Sequence, residues 1–346
     1  MASKQVPAKP AKAPTIYDVA AEAGVSKSLV SLVLGGTNGV SAEKRDAVLA
    51  AIEKLEYRPS RSAQHLAGGR TKTIGAIITD YKNLSYIGFL RGLREVADEA
   101  GFQVVVSDMH NSPHFSDNAI SALLSMRVDG LIIAAEVPAE HQLGIDVPFV
   151  TIGERHYLHP KSDVVYGDND EGMRLVVEHL HSLGHTKIVH VTSFDGMGAK
   201  RREAFEKYMT KLGLKPWVVG YGQPSTEIGG YLVAKELVES KAKFTAITTE
   251  NDAQAAGAWA VFKENGIRVP EDVSLIGFDN SPITSDYFLK LTTIDEMGIQ
   301  IGREAAKILL ERMNNKPRQN VTKVSIAPQL IVRSTTSKVK AASKKL

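Results

Sequence analysis

Apolar residues near the start of the chain recur at the spacing of short helices, and this pattern predicts three of them. Thr15 is placed to cap the first helix, and Asp18 is placed to bond back to its first turn. Ser26 and Ser41 are placed to cap the second and third. Helices this short need a shared core, so we expect one compact helical unit over residues 15–58.

The pattern changes at Thr73, where short β-rich runs begin to alternate with amphipathic helices. Strands are predicted at 74–78, 103–107, 130–134, 149–152, 187–191, 245–249 and 273–277, and helices at 87–100, 115–126, 170–183, 199–212, 228–239, 252–265 and 297–314. Alternation of this kind indicates parallel sheets. Residues 73–336 are too many for one usual sheet, so we predict an α/β fold with two lobes and a binding crevice where the strands end.

Three further segments lie outside these units. Residues 59–72 contain a short helix pattern that is too short to be stable alone, so we expect a hinge that folds only against a partner or DNA. Residues 1–14 are rich in Ala, Pro and Lys, and residues 337–346 are basic. We expect a disordered arm and a disordered tail.

The net charge of +3 is unevenly distributed. Residues 1–70 carry +4, residues 338–346 carry another +4, and the segment between them carries −5. A basic head on an acidic body favours phosphate contact at one end only. The chain has no cysteine, no apolar run near the ~20 residues of a membrane span, and no secretory signal. We therefore expect a cytoplasmic protein without a membrane partner.

The second predicted helix, Lys27 to Leu34, has the features of a DNA-reading helix. Lys27, Ser28 and Ser31 lie on its outward face near the N-terminus, while its valines face inward. Two short helices joined by a tight turn place the second helix in the major groove, where hydroxyl and ammonium groups bond bases or phosphates. The alternative is a solvated polar face on an ordinary helical hairpin.

The hinge segment has a possible DNA contact of its own. Ala63 and Leu66 are three residues apart in the short helix pattern. Two such helices, paired in a dimer, can lie in the minor groove, where leucine wedges a base step open and bends the duplex. The alternative is a plain interdomain linker.

Residues 15–335 resemble a LacI/GalR-family transcriptional regulator. The head motifs are Asp18-Val19-Ala20, Ala23-Gly24-Val25-Ser26, Val30-Ser31, Tyr57-Arg58-Pro59 and Ala63 to Leu66. The body motifs are Asp168-Asn169, His179 to His185, Asn251-Asp252, Val269 to Asp279, Leu291-Thr292-Thr293 and Leu330 to Arg333. The resemblance implies a helix-turn-helix head, a hinge helix, and a two-lobed periplasmic-binding-protein-like body that dimerises.

The predicted DNA contacts lie in the head and the hinge. They are Thr15, Ile16, Tyr17, Ser26, Lys27, Ser28, Ser31, Leu32, Ser41, Tyr57, Ser60, Ala63, Gln64, Leu66 and Ala67. Leu32 stands where the family often has an arginine that reads a base. It offers only an apolar contact, for instance to a thymine methyl group, so the operator is expected to differ from the commonest family site.

Candidate ligand-binding residues follow predicted strands. Asp80, Tyr81, Asn83 and Tyr86 follow the first body strand, and Glu154 and Arg155 follow the fourth. The resemblance adds Arg201 and Asp252 as effector-binding residues. An Arg–Asp pair across a cleft can fix hydroxyls or a carboxylate. The alternatives are a surface arginine and a helix-capping aspartate, and for Asp279 we favour a structural turn over a ligand contact.

Metal, cofactor and catalytic sites are not expected. His179, His181 and His185 lie near one helix end, but the first two point apart and no carboxylate completes a site. The chain has no G-x-S-x-G elbow, no P-loop, and no G-x-G-x-x-G at a strand end. We therefore do not expect an enzyme.

Together these expectations describe a dimeric DNA-binding repressor. Two heads would bind the half-sites of a pseudo-palindromic operator. A small molecule between the lobes, a sugar or a related metabolite, would change operator affinity. Two alternatives stay open: a DNA-binding regulator without a small-molecule switch, and a solute-binding or sugar-processing protein with an incidental helical head.

Overall fold

The computed structural model describes residues 14–34, 39–57, 70–109, 115–137, 144–155, 157–193, 196–285, 287, 289–314 and 320–339. The chain divides into two compact units, Met1–Thr71 and Lys72–Leu346, which we call the head and the body. The helices are α1 (Ile16–Glu22), α2 (Lys27–Leu34), α3 (Ala42–Lys54), α4 (Tyr86–Glu99), α5 (Phe115–Ser125), α6 (Asn169–Ser182), α7 (Gly196–Lys211), α8 (Glu227–Glu239), α9 (Asp252–Glu264) and α10 (Gly298–Asn314). The strands are β1 (Thr73–Ile78), β2 (Gln103–Asp108), β3 (Gly130–Ala134), β4 (Phe149–Ile152), β5 (Asp163–Gly167), β6 (Ile188–Val191), β7 (Val218–Val219), β8 (Ala246–Thr249), β9 (Ser274–Ile276), β10 (Thr293–Asp295), β11 (Lys323–Ile326) and β12 (Gln329–Ile331).

The head consists of α1, α2 and α3 around a small core. Val19, Val30 and Val48 are fully buried in it, one from each helix. The predicted capping at the first two helices is confirmed: the backbone N–H of Thr15 donates to the Asp18 carboxylate at 2.7 Å, and the Ser26 hydroxyl accepts from a backbone N–H at 3.3 Å. Ser41 precedes α3, but its side chain makes no capping hydrogen bond.

The body has the predicted two lobes. The first lobe is a parallel sheet in the order β11-β5-β4-β3-β1-β2. Helices α4 and α10 pack on one face of this sheet, and α5 packs on the other. The second lobe is a parallel sheet in the order β7-β6-β8-β9, with α6 and α7 on one face and α8 and α9 on the other. Strands β10 and β12 form a separate antiparallel pair.

The chain passes between the lobes three times, at residues 167–169, 295–298 and 326–329, which we call the crossover segments. The first links β5 of the first sheet to α6, whose apolar residues lie in the core of the second lobe. The second links β10 to α10, which packs in the core of the first lobe. The third links β11 of the first sheet to β12. Two lobes joined by three short segments can rotate about them while each lobe keeps its own core.

Glycines allow very close helix contacts in each lobe. A Cβ atom on Gly92 of α4 would lie 2.0 Å from the carbonyl oxygen of Ile299 in α10, and one on Gly302 would lie 2.1 Å from that of Phe89. In the second lobe, a Cβ on Gly257 of α9 would lie 1.9 Å from the carbonyl oxygen of Glu227 in α8. These helix pairs therefore pack backbone against backbone.

The body also includes a few residues that we had assigned to the tail. The backbone N–H of Val339 donates to the carbonyl of Leu183 at 2.9 Å, and the Ser337 carbonyl accepts from the His185 ring at 2.9 Å. Ordered contacts therefore continue past residue 336. Among the described residues, no helix is long and apolar enough to cross a membrane.

Candidate DNA-contacting face and effector cleft

The outward face of α2 carries the side chains that we predicted for DNA contact. Lys27, Ser28 and Ser31 are exposed, and Leu32 is 46% exposed, while Val30 and Val33 are buried. The positive end of the α2 dipole lies at the same end of the helix as Lys27 and Ser28, which favours phosphate there. This face therefore combines an ammonium group, two hydroxyls and one apolar side chain.

Tyr17 belongs to the same surface. Its ring is 64% exposed, the Lys27 ammonium lies 5.1 Å from the ring centroid, and the Lys27 Nζ donates to the Tyr17 hydroxyl at 3.4 Å. The tyrosine ring and the lysine ammonium therefore form one continuous exposed surface.

Several other predicted DNA contacts have structural roles. Tyr57 is only 7% exposed and is packed in the head core, so its DNA contact stays a prediction. Ile16 is half-buried against that core, and Thr15 bonds to Asp18. Ser41 is exposed. The hinge predictions fall outside the described residues; they are Ser60, Ala63, Gln64, Leu66 and Ala67.

In the first lobe, the predicted ligand residues that follow β1 lie near the carboxyl ends of several strands. The Tyr86 hydroxyl bonds to Thr79 Oγ1 at 3.0 Å and donates to the Ala134 carbonyl, at the end of β3, at 2.9 Å. The Tyr81 hydroxyl donates to the Val106 carbonyl of β2 at 2.6 Å. Asp80 and Asn83 accept backbone N–H groups within their own turn, at 2.9 and 3.0 Å.

The loop after β4 places Glu154 and Arg155 at the same edge. The Glu154 carboxylate accepts a hydrogen bond of 3.0 Å from the side-chain amide of Asn169, which begins α6. The Arg155 Nε donates to the Ile152 carbonyl at 2.8 Å. Asn169 therefore connects the first lobe to the first crossover segment.

Arg201 is the centre of the site on the second lobe. It lies on α7, is 1% exposed, and stacks at 3.8 Å over the ring of Phe278. Its Nε donates to the Asn169 side chain at 2.9 Å, and its two Nη groups donate to the Glu250 carbonyl, to the Asp279 carboxylate at 3.1 Å, and to Glu296. Arg201 is therefore not a surface arginine.

Two of these partners lie on crossover segments. Asn169 ends the first segment, and Glu296 belongs to the second. One guanidinium of the second lobe thus bonds to both segments, and through Asn169 it connects to Glu154 of the first lobe. A change in the bonds of Arg201 would act directly on the segments about which the lobes rotate.

Asp252, the other effector-binding residue that the resemblance implies, is held by contacts within the protein. Asp252 is 1% exposed, and its oxygens accept from the Ser281 N–H at 2.8 Å and from the Thr293 hydroxyl at 2.7 Å. Asn251, one residue earlier, caps α9. Burial, with a smaller contribution from nearby Asp279, raises the pKa of Asp252 to about 8, so its protonated form is favoured at neutral pH. Asp252 thus ties α9 to neighbouring loops, and no described contact joins it to Arg201.

Asp279, which we assigned to a structural turn, is the aspartate that pairs with Arg201. Its backbone has a φ of +106°, a left-handed value that is uncommon for a residue with a side chain. The turn and the ion pair occur together, because the turn after β9 directs the carboxylate at the guanidinium.

A buried histidine lies on the same lobe. His190 of β6 is fully buried and stacks on Phe205 with ring centroids 5.0 Å apart. Burial, and then the positive charges of Arg201 and Arg202, lower its pKa to about 3, so the ring stays neutral. No group of three or more metal-ligating side chains occurs among the described residues.

Sequence reasoning missed Glu296 and Glu250 and gave Asn169 no role. Glu250 follows β8, which was predicted, so its position at a strand end was an available signal. Asn169 and Glu296 follow β5 and β10, neither of which was predicted, so no strand end marked them.

Comparison with known proteins identifies the family of this chain. The sequence pattern of bacterial regulatory proteins of the lacI family matches residues 15–60, and that of the periplasmic binding protein-like domain matches residues 177–336. The HTH-type transcriptional repressor PurR of Haemophilus influenzae (strain PittEE) is 33% identical over 336 residues, covering 94% of this chain and 99% of that protein. This chain belongs to the lacI family.

Solved structures agree over nearly the whole length. The Lac repressor dimer bound to operator and the anti-inducer ONPF matches with a TM-score of 0.83 and 28% identity, covering 94% of this chain and 100% of that chain. The complex of the transcriptional regulator CelR with cellobiose matches with a TM-score of 0.68 and 25% identity, covering 93% and 99%. As a lacI-family member, this chain is a DNA-binding transcriptional regulator, and its relatives PurR and Lac repressor are repressors rather than enzymes.

Proposed function

We propose that this lacI-family protein is a cytoplasmic homodimer that represses transcription from a pseudo-palindromic operator. A small molecule bound between the two lobes of each body changes operator affinity. Each head inserts α2 into a major groove, with Lys27, Ser28, Ser31 and Leu32 facing the base pairs and Tyr17 beside them. Two heads related by a two-fold axis then contact two half-sites.

The effector site proposed for the body is the edge where the strands of both lobes end. Tyr86, Glu154, Asn169 and Arg201 supply donors and acceptors there, and parallel α/β sheets bind ligands at such edges. The solved structures of two relatives carry the anti-inducer ONPF and cellobiose. A ligand rich in hydroxyl groups would suit the same mixture of donors and acceptors.

One observation carries the proposal of a switch. Arg201 of the second lobe bonds to both Asn169 and Glu296, which lie on two of the three crossover segments. A ligand that takes a donor of Arg201 must change these bonds, so its binding free energy differs between lobe arrangements. A ligand shifts a conformational equilibrium only through such a difference.

The proposal is tested by selecting operators from a random DNA library with the full-length protein. Operator affinity is then measured by fluorescence anisotropy with and without a panel of sugars, nucleosides, purine bases and phosphorylated metabolites. We expect at least one compound to change operator affinity by about 5–150-fold, as coupling free energies of 1–3 kcal/mol give. The operator must change the affinity for that compound by the same factor.

Two controls make the outcome specific. Arg201→Lys keeps the charge but removes the planar set of donors, so it should abolish the ligand effect on operator affinity. Arg91→Lys, at an exposed ion pair on α4, should leave the effect unchanged. If the selected operator binds tightly and no compound alters its affinity, the protein regulates transcription without a small-molecule switch.

A further inference from the structure

Glu296 occupies a central place between the lobes. It lies on the second crossover segment, between β10 and α10, and its carboxylate accepts from Arg201 Nη2. A Cβ atom placed on Gly167 would lie 3.3 Å from the Cβ of Glu296, so the second crossover segment runs directly beside the first. A change at this one side chain therefore acts where two segments meet.

Glu296 is also the most accessible partner of Arg201 among those described. Its side chain is 20% exposed, whereas that of Asp279 is 8% exposed, and the residues Asn169 and Glu250 are 3% and 2% exposed. A molecule entering from solvent would therefore reach the bond to Glu296 before it reached the other bonds of the guanidinium.

The charges around Arg201 are predominantly negative. Asp279 and Glu296 bond to it directly, Glu154 is joined to it through Asn169, and the Glu250 backbone accepts from it while the Glu250 carboxylate accepts from Ser225 at 2.7 Å. Like charges repel more strongly where water is largely excluded than they do in bulk water. A phosphate or carboxylate approaching Arg201 would meet this repulsion.

We propose that Glu296 determines the specificity of the effector cleft. Its carboxylate holds the Arg201 donor that an effector would otherwise use, and it keeps anionic molecules from that donor. The effector is then an uncharged molecule with hydroxyl or amide groups, which displaces Glu296 from Arg201 and bonds to both. This inference rests on the proposed effector cleft and names the class of ligand that the cleft accepts.

The same contact links binding to motion. An effector that displaces Glu296 removes a bond between the second lobe and the second crossover segment, so the segment and the start of α10 become free to shift. Glu296 is thus a positioning residue for the lobes as well as a filter for charge.

Inorganic sulfate is a suitable probe, because it is a small divalent anion that fits a guanidinium. The test compares the full-length wild type with Glu296→Gln, which removes the charge, and Glu296→Ala, which also opens space. Asp295→Asn is the matched control: it removes a carboxylate from the same segment, but Asp295 bonds to the Met297 N–H at 2.7 Å and to Asn280 at 3.0 Å. Circular dichroism establishes that each variant is folded.

The readout is the sulfate concentration dependence of Tm, from which an apparent sulfate affinity follows. Sulfate stabilises most proteins weakly by exclusion from their surface, so the control sets the baseline. We expect sulfate to bind both Glu296 variants about tenfold more tightly than it binds the wild type and Asp295→Asn, since a like charge beside the guanidinium is removed. Equal sulfate affinities in all four proteins would overturn the proposal.

The result is independent of the operator experiment. A protein without any small-molecule switch can still gain a sulfate site when Glu296 is neutralised. Conversely, a switch driven by a phosphorylated compound in the wild type would overturn the role of Glu296 and leave the switch itself intact.

Discussion

The charged groups on the DNA-contacting face of the head are exposed, whereas those of the Arg201 cluster in the body are buried and paired. Lys27 is exposed, and its contact with Tyr17 is weak. Arg201 is buried, and its donors bond to Asn169, Glu250, Asp279 and Glu296. The head therefore offers groups ready for a partner, whereas a ligand of the body must replace contacts that already exist.

The difference has an energetic consequence. Exposed polar groups contribute little to folding stability, so a change in them alters binding without altering the fold. A buried charged cluster contributes to folding stability and to ligand binding together, because removing one member leaves its partners without a counter-charge. Four variants or conditions test this contrast, in order of expected effect.

The largest effect is expected for Arg201→Ala. Removal of the guanidinium leaves Asp279 and Glu296 without their counter-charge, which should lower the free energy of unfolding by about 3–5 kcal/mol. Urea denaturation, monitored by circular dichroism, measures this loss in the free energy of unfolding. Arg91→Ala removes an exposed arginine of the same body and should cost under about 1 kcal/mol. Equal losses in the two variants would contradict a structural role for the Arg201 cluster.

The second effect concerns pH and Asp252. Because its pKa is raised from 3.8 to about 8, the folded body binds more protons than the unfolded chain between these values. Stability from this group is therefore greatest at low pH and is lost as pH rises from about 4 to about 8, with a slope of at most about 1.4 kcal/mol per pH unit. Urea denaturation at pH 5, 6, 7 and 8 measures the slope.

Asp252→Asn should remove most of this pH dependence, because an amide keeps the hydrogen-bonding shape without titrating. Asp98→Asn alters a carboxylate that is 60% exposed and serves as the control. If the free energy of unfolding of Asp252→Asn still depends on pH with the same slope, groups other than Asp252 cause that dependence.

The third effect belongs to the head. Lys27→Ala should leave the free energy of unfolding within about 0.5 kcal/mol of the wild type. It should weaken operator binding about tenfold, and if the lysine contacts a phosphate, the slope of log affinity against log salt concentration should fall by about 1. Lys54→Ala, at a lysine bonded to Glu22, is the matched control in anisotropy titrations. The same weakening in both variants would indicate a general charge effect.

The smallest effect is expected at Leu32. If its exposed side chain contacts a thymine methyl group, replacing that thymine by uracil should weaken binding about fourfold, the value of one buried methyl group at about 0.8 kcal/mol. Each thymine of the selected half-site is replaced in turn. In Leu32→Ala the penalty at the contacted base should vanish, whereas a penalty that persists there would assign the methyl contact to another residue.

Much of the fold follows from the sequence, because periodicity is a local signal. The helices of the body begin and end within about three residues of their predicted bounds, and α4, α6 and α10 have the clearest amphipathic stripes. Strands β5, β7, β10, β11 and β12 were missed, since they have two to five residues and several mix polar with apolar side chains. Their pairing depends on neighbours that are distant along the chain.

The site was predicted less well for a related reason. Arg201 and Glu154 were assigned from motif and strand end, but their partners depend on how the crossover segments bring distant residues together. Asp279 was assigned to a structural turn, and nothing in the local sequence indicated that its carboxylate pairs with Arg201. The ion pair depends on the turn after β9, whose left-handed backbone at Asp279 was not visible in the sequence.

The close packing of α4 on α10 has a mechanical consequence. At Gly92 and Gly302 the two helices touch through their backbones, so no layer of side chains lies between them to absorb a displacement. Since α10 starts immediately after the segment that holds Glu296, and α4 starts at Tyr86 in the cleft, the two helices form a stiff lever. A movement of the α10 N-terminus would therefore displace the start of α4, and with it Tyr86.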